Sequence, residues 1–304
     1  MRMHSPWLLA LAVSSATIPA RADDPPPPAS GAPDEEDAAI QVDALVPTAR
    51  RERRFWQVEG LHELHSNLVS DDRSGNDWTT YSMLRGNLNL TGNDQVALRM
   101  DLEQRFIADE GESGLWFGDM RLYYSRAFKV CVVPTFPVPA KASAYLTLPT
   151  SRLSQERGYV TKPTAALTLA PTFRGFTLLG NVLFQYAFAK WATSTMGDPN
   201  TQLTTGYSLQ LFYRVFDWFS PSVAWEQYWN RDYRTREGES QPLQSKYYFE
   251  LALNFSLPMP ELGPTVDLSL AYAQGADVLE DGITRLYFAK RDQSELYLAV
   301  NVAY

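Results

Sequence analysis

From Phe55 to the C-terminus, apolar residues recur at every second position in segments of roughly ten residues separated by turn formers, the spacing of β-strands. Gln95 to Phe106 shows it most clearly. Val96, Leu98, Met100, Leu102 and Phe106 share one face, and Arg99, Asp101, Glu103 and Arg105 share the other. Leu84, Gly86, Leu88 and Leu90 alternate with Arg85, Asn87 and Asn89; Trp116, Met120, Leu122 and Tyr124 alternate with Asp119, Arg121 and Ser125. The pattern predicts strands near 56–69, 79–91, 94–107, 115–129, 141–150, 159–170, 175–189, 204–216, 220–233, 244–257, 264–274 and 292–304. The Val- and Pro-rich stretch 130–140 can lengthen either neighbour, so the expected count is about 12 strands, within a range of roughly 10–14.

Alternation alone fits either a soluble sandwich, with its apolar face inward, or a barrel in lipid, with its apolar face outward. The links separate the two. Those at 91–94, 170–175, 217–220 and 258–263 are compact, whereas 70–78, 108–114, 190–203, 234–243 and 275–291 are longer and polar. Short turns at one end and long loops at the other characterise an outer-membrane barrel. Trp56, Trp78, Trp116, Tyr145, Trp191, Trp218, Phe219, Trp225, Trp229, Tyr247 and Tyr248 lie mostly near strand ends, where aromatic girdles sit at a headgroup boundary. No run approaches the ~20 consecutive apolar residues of a transmembrane helix. The expected fold is therefore all-β, a transmembrane antiparallel up-and-down barrel over 55–304.

The N-terminus reads differently. Arg2, the apolar run around Trp7, Leu8, Leu9, Leu11 and Val13, and Ala20-Arg21-Ala22 form a signal-peptide pattern over 1–22, with cleavage after Ala22. With Arg2 and Arg21 removed, 25 basic residues face 35 acidic ones, a net charge of −10. Residues 23–54 carry Pro25 to Pro28 and the acidic run Asp34 to Asp37, the composition of an unfolded periplasmic linker. Arg50, Arg51, Arg53 and Arg54 at its end form either a solvated cluster or a contact for anionic headgroups. The basic residues form no stripe along which a phosphate backbone could lie, so no nucleic-acid partner is expected.

Tyr304, Val302, Val300, Leu298 and Leu296 place apolar residues at alternate positions up to a terminal aromatic. This resembles the C-terminal insertion signal of Gram-negative outer-membrane β-barrel proteins. The resemblance implies an outer-membrane location, outer-membrane lipid around the barrel and recognition by the barrel assembly machinery. Leu148-Pro149-Thr150-Ser151 is similar to a short segment of some barrel channels for organic solutes and by itself assigns no function.

With the apolar faces outward, Glu59, Glu63, His65, Arg85, Asn87, Arg99, Asp101, Glu103, Arg105, Asp119 and Arg121 point into the lumen from the first strands. Asn181, Gln185, Ser208, Gln210, Arg214, Glu226, Asn230, Glu250, Asn254, Asp267 and Ser269 follow from the later ones. Such a wall either braces the barrel through cross-strand ion pairs or lines a selective path. Arg85, Arg99, Arg105 and Arg121 are expected to pair with Asp101, Glu103 and Asp119.

The leading reading is a narrow channel for passive passage of small solutes. One alternative is a surface scaffold or adhesion barrel with a salt-bridge-filled lumen. Another is an outer-membrane hydrolase in which His65, beside Glu63 and Asp71 at the rim, acts as general base. His62 and His65 sit on opposite faces of one strand, HExxH and GxSxG are absent, and the single Cys131 forms no CxxC site. Neither a metal nor a cofactor is expected.

Overall fold

The computed structural model describes residues 55–67, 78–105, 114–133, 136–194, 199–234, 244–258, 265–277 and 294–304. The expected signal peptide, the linker, Asp71 and most of the long loops lie outside the described residues. Alternating sequence becomes strand throughout: β1 (Trp56–Asn67), β2 (Trp78–Asn89), β3 (Asp94–Arg105), β4 (Gly114–Phe117), β5 (Met120–Val133), β6 (Phe136–Leu148), β7 (Tyr159–Leu169), β8 (Thr172–Phe173), β9 (Phe176–Tyr186), β10 (Phe188–Ala189), β11 (Thr201–Tyr213), β12 (Phe219–Asp232), β13 (Gln244–Pro258), β14 (Thr265–Asp277) and β15 (Ser294–Ala303). One short helix, α1 (Arg152–Glu156), joins β6 to β7.

Each long strand pairs antiparallel with its sequence neighbour, and β15 pairs with β1 from Glu59↔Ala303 to Asn67↔Glu295. That last pairing closes the ring. The short pieces β4, β8 and β10 extend the ladders beside β3, β9 and β7, leaving a closed barrel of 12 antiparallel strands. Closure satisfies every edge, which an open sheet of this length would leave bare.

The outer wall is apolar all the way round. Leu84, Leu98, Leu122, Leu146, Val182, Leu209, Leu251, Leu270 and Leu298 are all exposed there. An apolar belt on this scale is far larger than the exposed patches of proteins that live in water.

Inside, alanines and large rings interdigitate. Ala224, Ala252, Ala271, Ala273 and Ala299 pack with Tyr81, Tyr248 and Tyr297, the small-against-large filling of a narrow barrel. Gly206 makes room for Tyr228: a Cβ there would lie 2.3 Å from Tyr228 Cδ1 and 2.7 Å from Gln227 O. Gly206→Val should therefore cost about 1–3 kcal/mol through overpacking and reduce the fraction of chains that show heat-modifiable migration on gels. Wild-type migration would mean that Tyr228 swings aside freely.

Aromatic rings gather at both ends. Trp56–Tyr304, Phe176–Tyr213 and Phe216–Trp218 pair at the end with the short links; Trp225–Tyr247, Tyr207–Trp229 and Tyr186–Phe188 pair at the other. Two expected girdle members belong elsewhere. Tyr145 and Tyr248 are buried in the interior, Tyr145 with its ring centroid 4.7 Å from that of Tyr123.

The strands differ from expectation at three places. Residues 130–140 lengthen both β5 and β6. The predicted strand 115–129 breaks at Gly118-Asp119, because Gly118 lies against β3: its N–H donates to Asp101 O at 2.8 Å, and a Cβ would meet Asp101 Cβ at 2.7 Å. The break shifts the alternation, so half-buried Trp116 lies between outward-facing Leu115 and Phe117 and opposite Glu103, not on the lipid-type face with Met120 and Leu122. The predicted strand 175–189 is interrupted at Ala187.

Candidate lumen site

Antiparallel pairing places inward residues of successive strands in rows around the wall, about 5 Å apart from strand to strand. One row runs Glu59, Arg85, Arg99, Arg121, Thr147, Lys162 across β1, β2, β3, β5, β6 and β7. Arg85 faces Glu59 on one side, but Arg85, Arg99 and Arg121 are also direct neighbours, and none of them stands opposite Asp101, Glu103 or Asp119. Like charges in adjacent positions are tolerable only if each finds a partner of its own.

Arg99 Nε donates to Asp101 Oδ1 at 2.7 Å, two residues along its own strand, and its Nη2 donates to the Tyr81 hydroxyl at 2.9 Å. Arg121 Nη2 lies 3.7 Å from Asp101 Oδ2. Arg85 Nε donates to Asn87 Oδ1 at 2.9 Å, and Asn87 Nδ2 passes the link to Glu59 Oε1 at 2.9 Å. The Arg85 guanidinium also lies 4.9 Å above the Tyr123 ring, within cation–π range. Arg85 and Arg99 have no exposed surface, so protein and not water surrounds them.

Asp119 anchors the mouth. The strand break turns its carboxylate toward the β6–β7 link, where Oδ1 accepts the Ser151 N–H at 2.9 Å and Oδ2 accepts the Ser154 hydroxyl. Thr150 adds a second clasp, donating to Gly118 O at 3.1 Å and accepting from Met120 N–H at 2.8 Å. Ser151 caps α1, with its Oγ accepting from Ser154 N–H at 3.1 Å. Gly158 ends the turn at φ 66 beneath Trp191, whose Cδ1 leaves no room for a Cβ. The segment 149–158 is thus folded onto the barrel wall.

The opposite arc carries the other sign. Glu226, Glu250, Glu295, Glu59 and Glu63 are buried on β12, β13, β15 and β1, accompanied by Lys246 and His65. Arg85, Arg99, Arg121, Lys141 and Lys162 are buried on β2 to β7, accompanied by Asp101 and Asp119. Charge is therefore separated across the interior. His65 Nε2 lies 2.9 Å from Glu63 Oε2 and its Nδ1 3.3 Å from Glu295 Oε2, joining the two strands that close the ring.

This placement corrects the rim reading of His65. The imidazole is buried, both ring nitrogens face carboxylates, and Tyr297 stacks on it at 5.1 Å. The two carboxylates lie on different nitrogens and so do not converge on one ion. Among the described residues, no group of three or more His, Cys, Asp or Glu side chains is placed to hold a metal.

Glu103 is half-buried opposite Tyr81 and Trp116, and the Arg105 side chain lies outside the described residues. Asn181, Gln185, Ser208, Gln210, Asn254 and Ser269 line the interior with Glu226 and Glu250, while Arg214 is exposed at a strand end. Lys141, Lys162, Lys246 and Glu295 also face inward, although none was singled out from the sequence. For Lys162 and Glu295 a signal existed: Lys162 shares a face with Thr164 and Thr168, and Glu295 shares one with Asn301.

No family model matches the sequence, and no curated protein matches it. Comparison of the fold with solved structures finds an outer membrane channel from Pseudomonas putida F1, with 11% identity, 85% of this chain and 99% of that chain covered, and a TM-score of 0.55. The NanC porin aligns over 82% of this chain and 98% of its own at 10% identity and TM-score 0.45. The outer membrane channel DcaP of Acinetobacter baumannii aligns over 82% and 96% at 10% identity and TM-score 0.38. What the chain shares with the first of these is its fold.

Proposed function

We propose that this protein is an outer-membrane β-barrel that forms a narrow channel for passive passage of small solutes. The observation that carries the reading is the inversion of the two walls: the outer wall is predominantly apolar, while ionisable side chains of both signs are buried inside. A barrel turned this way is stable where lipid surrounds it and polar matter passes through it. The likeness in fold to a channel supports the same reading. Leu296, Leu298, Val302 and Tyr304 are exposed on the outer face of β15, with half-buried Val300 between them, so the proposed insertion signal is presented where assembly machinery and lipid can reach it.

The side chains of the arginine row are buried, as are the polar side chains around them. That burial equally favours a second reading, a lumen closed by its own ion pairs that serves only as a scaffold. Reconstitution separates them. The full-length protein should fractionate with outer membrane, and vesicles containing it should swell when small sugars or amino acids are supplied outside. Recovery in a soluble fraction would overturn the membrane barrel; vesicles that hold folded barrel and stay impermeable would favour the scaffold.

A further inference from the structure

We propose, building on the channel reading, that Arg121, Thr147 and Lys162 form an oxyanion subsite in the lumen that takes the carboxylate or phosphate group of a small solute. These residues are consecutive in one inward row, with Thr147 paired to Arg121 on one side and to Lys162 on the other. Their backbones span two strand spacings, about 10 Å, a gap that two long cationic side chains close over one bound group. Thr147 Oγ1 is buried between them with no hydrogen-bond partner, and the residue is only 3% exposed. A buried hydroxyl left without a partner is costly, and an oxyanion between two cations would accept from it.

Lys162 Nζ stands 3.9 Å from Asp119 Oδ2, longer than a charge-assisted hydrogen bond, and 4.1 Å from the centroid of the Tyr159 ring. Asp119 is meanwhile satisfied by Ser151 and Ser154. Lys162 can therefore transfer to an incoming anion without stranding that carboxylate. The buried hydroxyls Tyr123 OH and Ser143 Oγ, also without partners, lie on the same two strands as Arg121 and Thr147 and would suit the hydroxyl groups of the same solute. On the far side, Glu226, Glu250 and Glu295 repel an anion toward this wall.

The test uses full-length protein with malonate and inorganic phosphate as probes and glycerol as the neutral control. In planar bilayers the wild type should be anion-selective in a KCl gradient, and one or both anions should reduce its current in a saturable way while glycerol does not. Lys162→Gln and Thr147→Val should each weaken that block, Lys162→Gln by about tenfold, the loss of one charge-assisted contact. Lys162→Arg should retain it. Malonate and phosphate run as separate arms identify the group. Cation selectivity, or block undiminished in both variants, would overturn the subsite while leaving the channel standing.

Absence of any conductance would overturn the channel, and the subsite then stands or falls on binding in detergent. Malonate or phosphate should raise the temperature of the heat-modifiable transition in wild type, and by less at the same concentration in Thr147→Val. No shift in wild type, or the same shift in both, would overturn it. Thr147→Val is nearly isosteric, so the outcome does not depend on Lys162→Gln assembling.

Discussion

Arg99→Gln should destabilise the folded barrel by about 3 kcal/mol, toward the lower end of what breaking a buried ion pair costs. Arg99 has no exposed surface and supplies both the 2.7 Å contact to Asp101 and the 2.9 Å contact to Tyr81. Its removal leaves Asp101 with Arg121 at 3.7 Å. Two effects soften the loss: Arg99 no longer repels Arg85 and Arg121 across the row, and Arg121 can move toward Asp101. The double change Arg99→Gln with Asp101→Asn should recover a large part of the deficit, because no carboxylate is then stranded. Urea unfolding in lipid vesicles, followed by tryptophan fluorescence, reads both. A double variant worse than the single one would show that the row is held by something other than this pair.

Leu98→Arg should cost about 2–4 kcal/mol, the penalty of an arginine at the bilayer midplane. Leu98 lies mid-strand on the outer wall, 43% exposed, between Gly86 and Leu122 in the ladder. Leu90→Arg, at the turn between β2 and β3 where the outer wall ends, should cost only about 0–1 kcal/mol by the same depth dependence. Both side chains are exposed, Leu90 at 55% and Leu98 at 43%, so a soluble barrel would tolerate arginine at either position at little cost, and the size of the difference is what reports the lipid. Equal tolerance at both positions would remove the lipid belt from the account.

The same residues show what the sequence could reveal. The 95–106 segment displays both faces of its strand without help, because a period of two is a local property. Arg85, Arg99, Arg121, Glu63 and Glu250 could be placed inside from that period once the loop lengths had turned the apolar face outward. Register could not. Whether Arg99 faces Arg85 or an acid depends on where each hairpin turns, and shifting a ladder by one residue exchanges the faces. The bridge from Glu63 through His65 to Glu295 joins positions 230 residues apart and exists only because β15 closes on β1. The break at Gly118-Asp119 was equally hidden, since a single glycine in an alternating run marks an interruption only once a neighbouring backbone approaches it. The clasp of Asp119 on Ser151 and Ser154 depends on that break and was hidden with it.

The proposed passage of solutes through this barrel, past its charged rows, is tested most directly by single-channel recording of the purified full-length protein in a planar bilayer. Stable unitary steps of small conductance are expected, with an ion selectivity that changes in the Arg99→Gln, Asp101→Asn double variant. Protein that inserts, shows heat-modifiable migration and yet gives no steps at any voltage would contradict it.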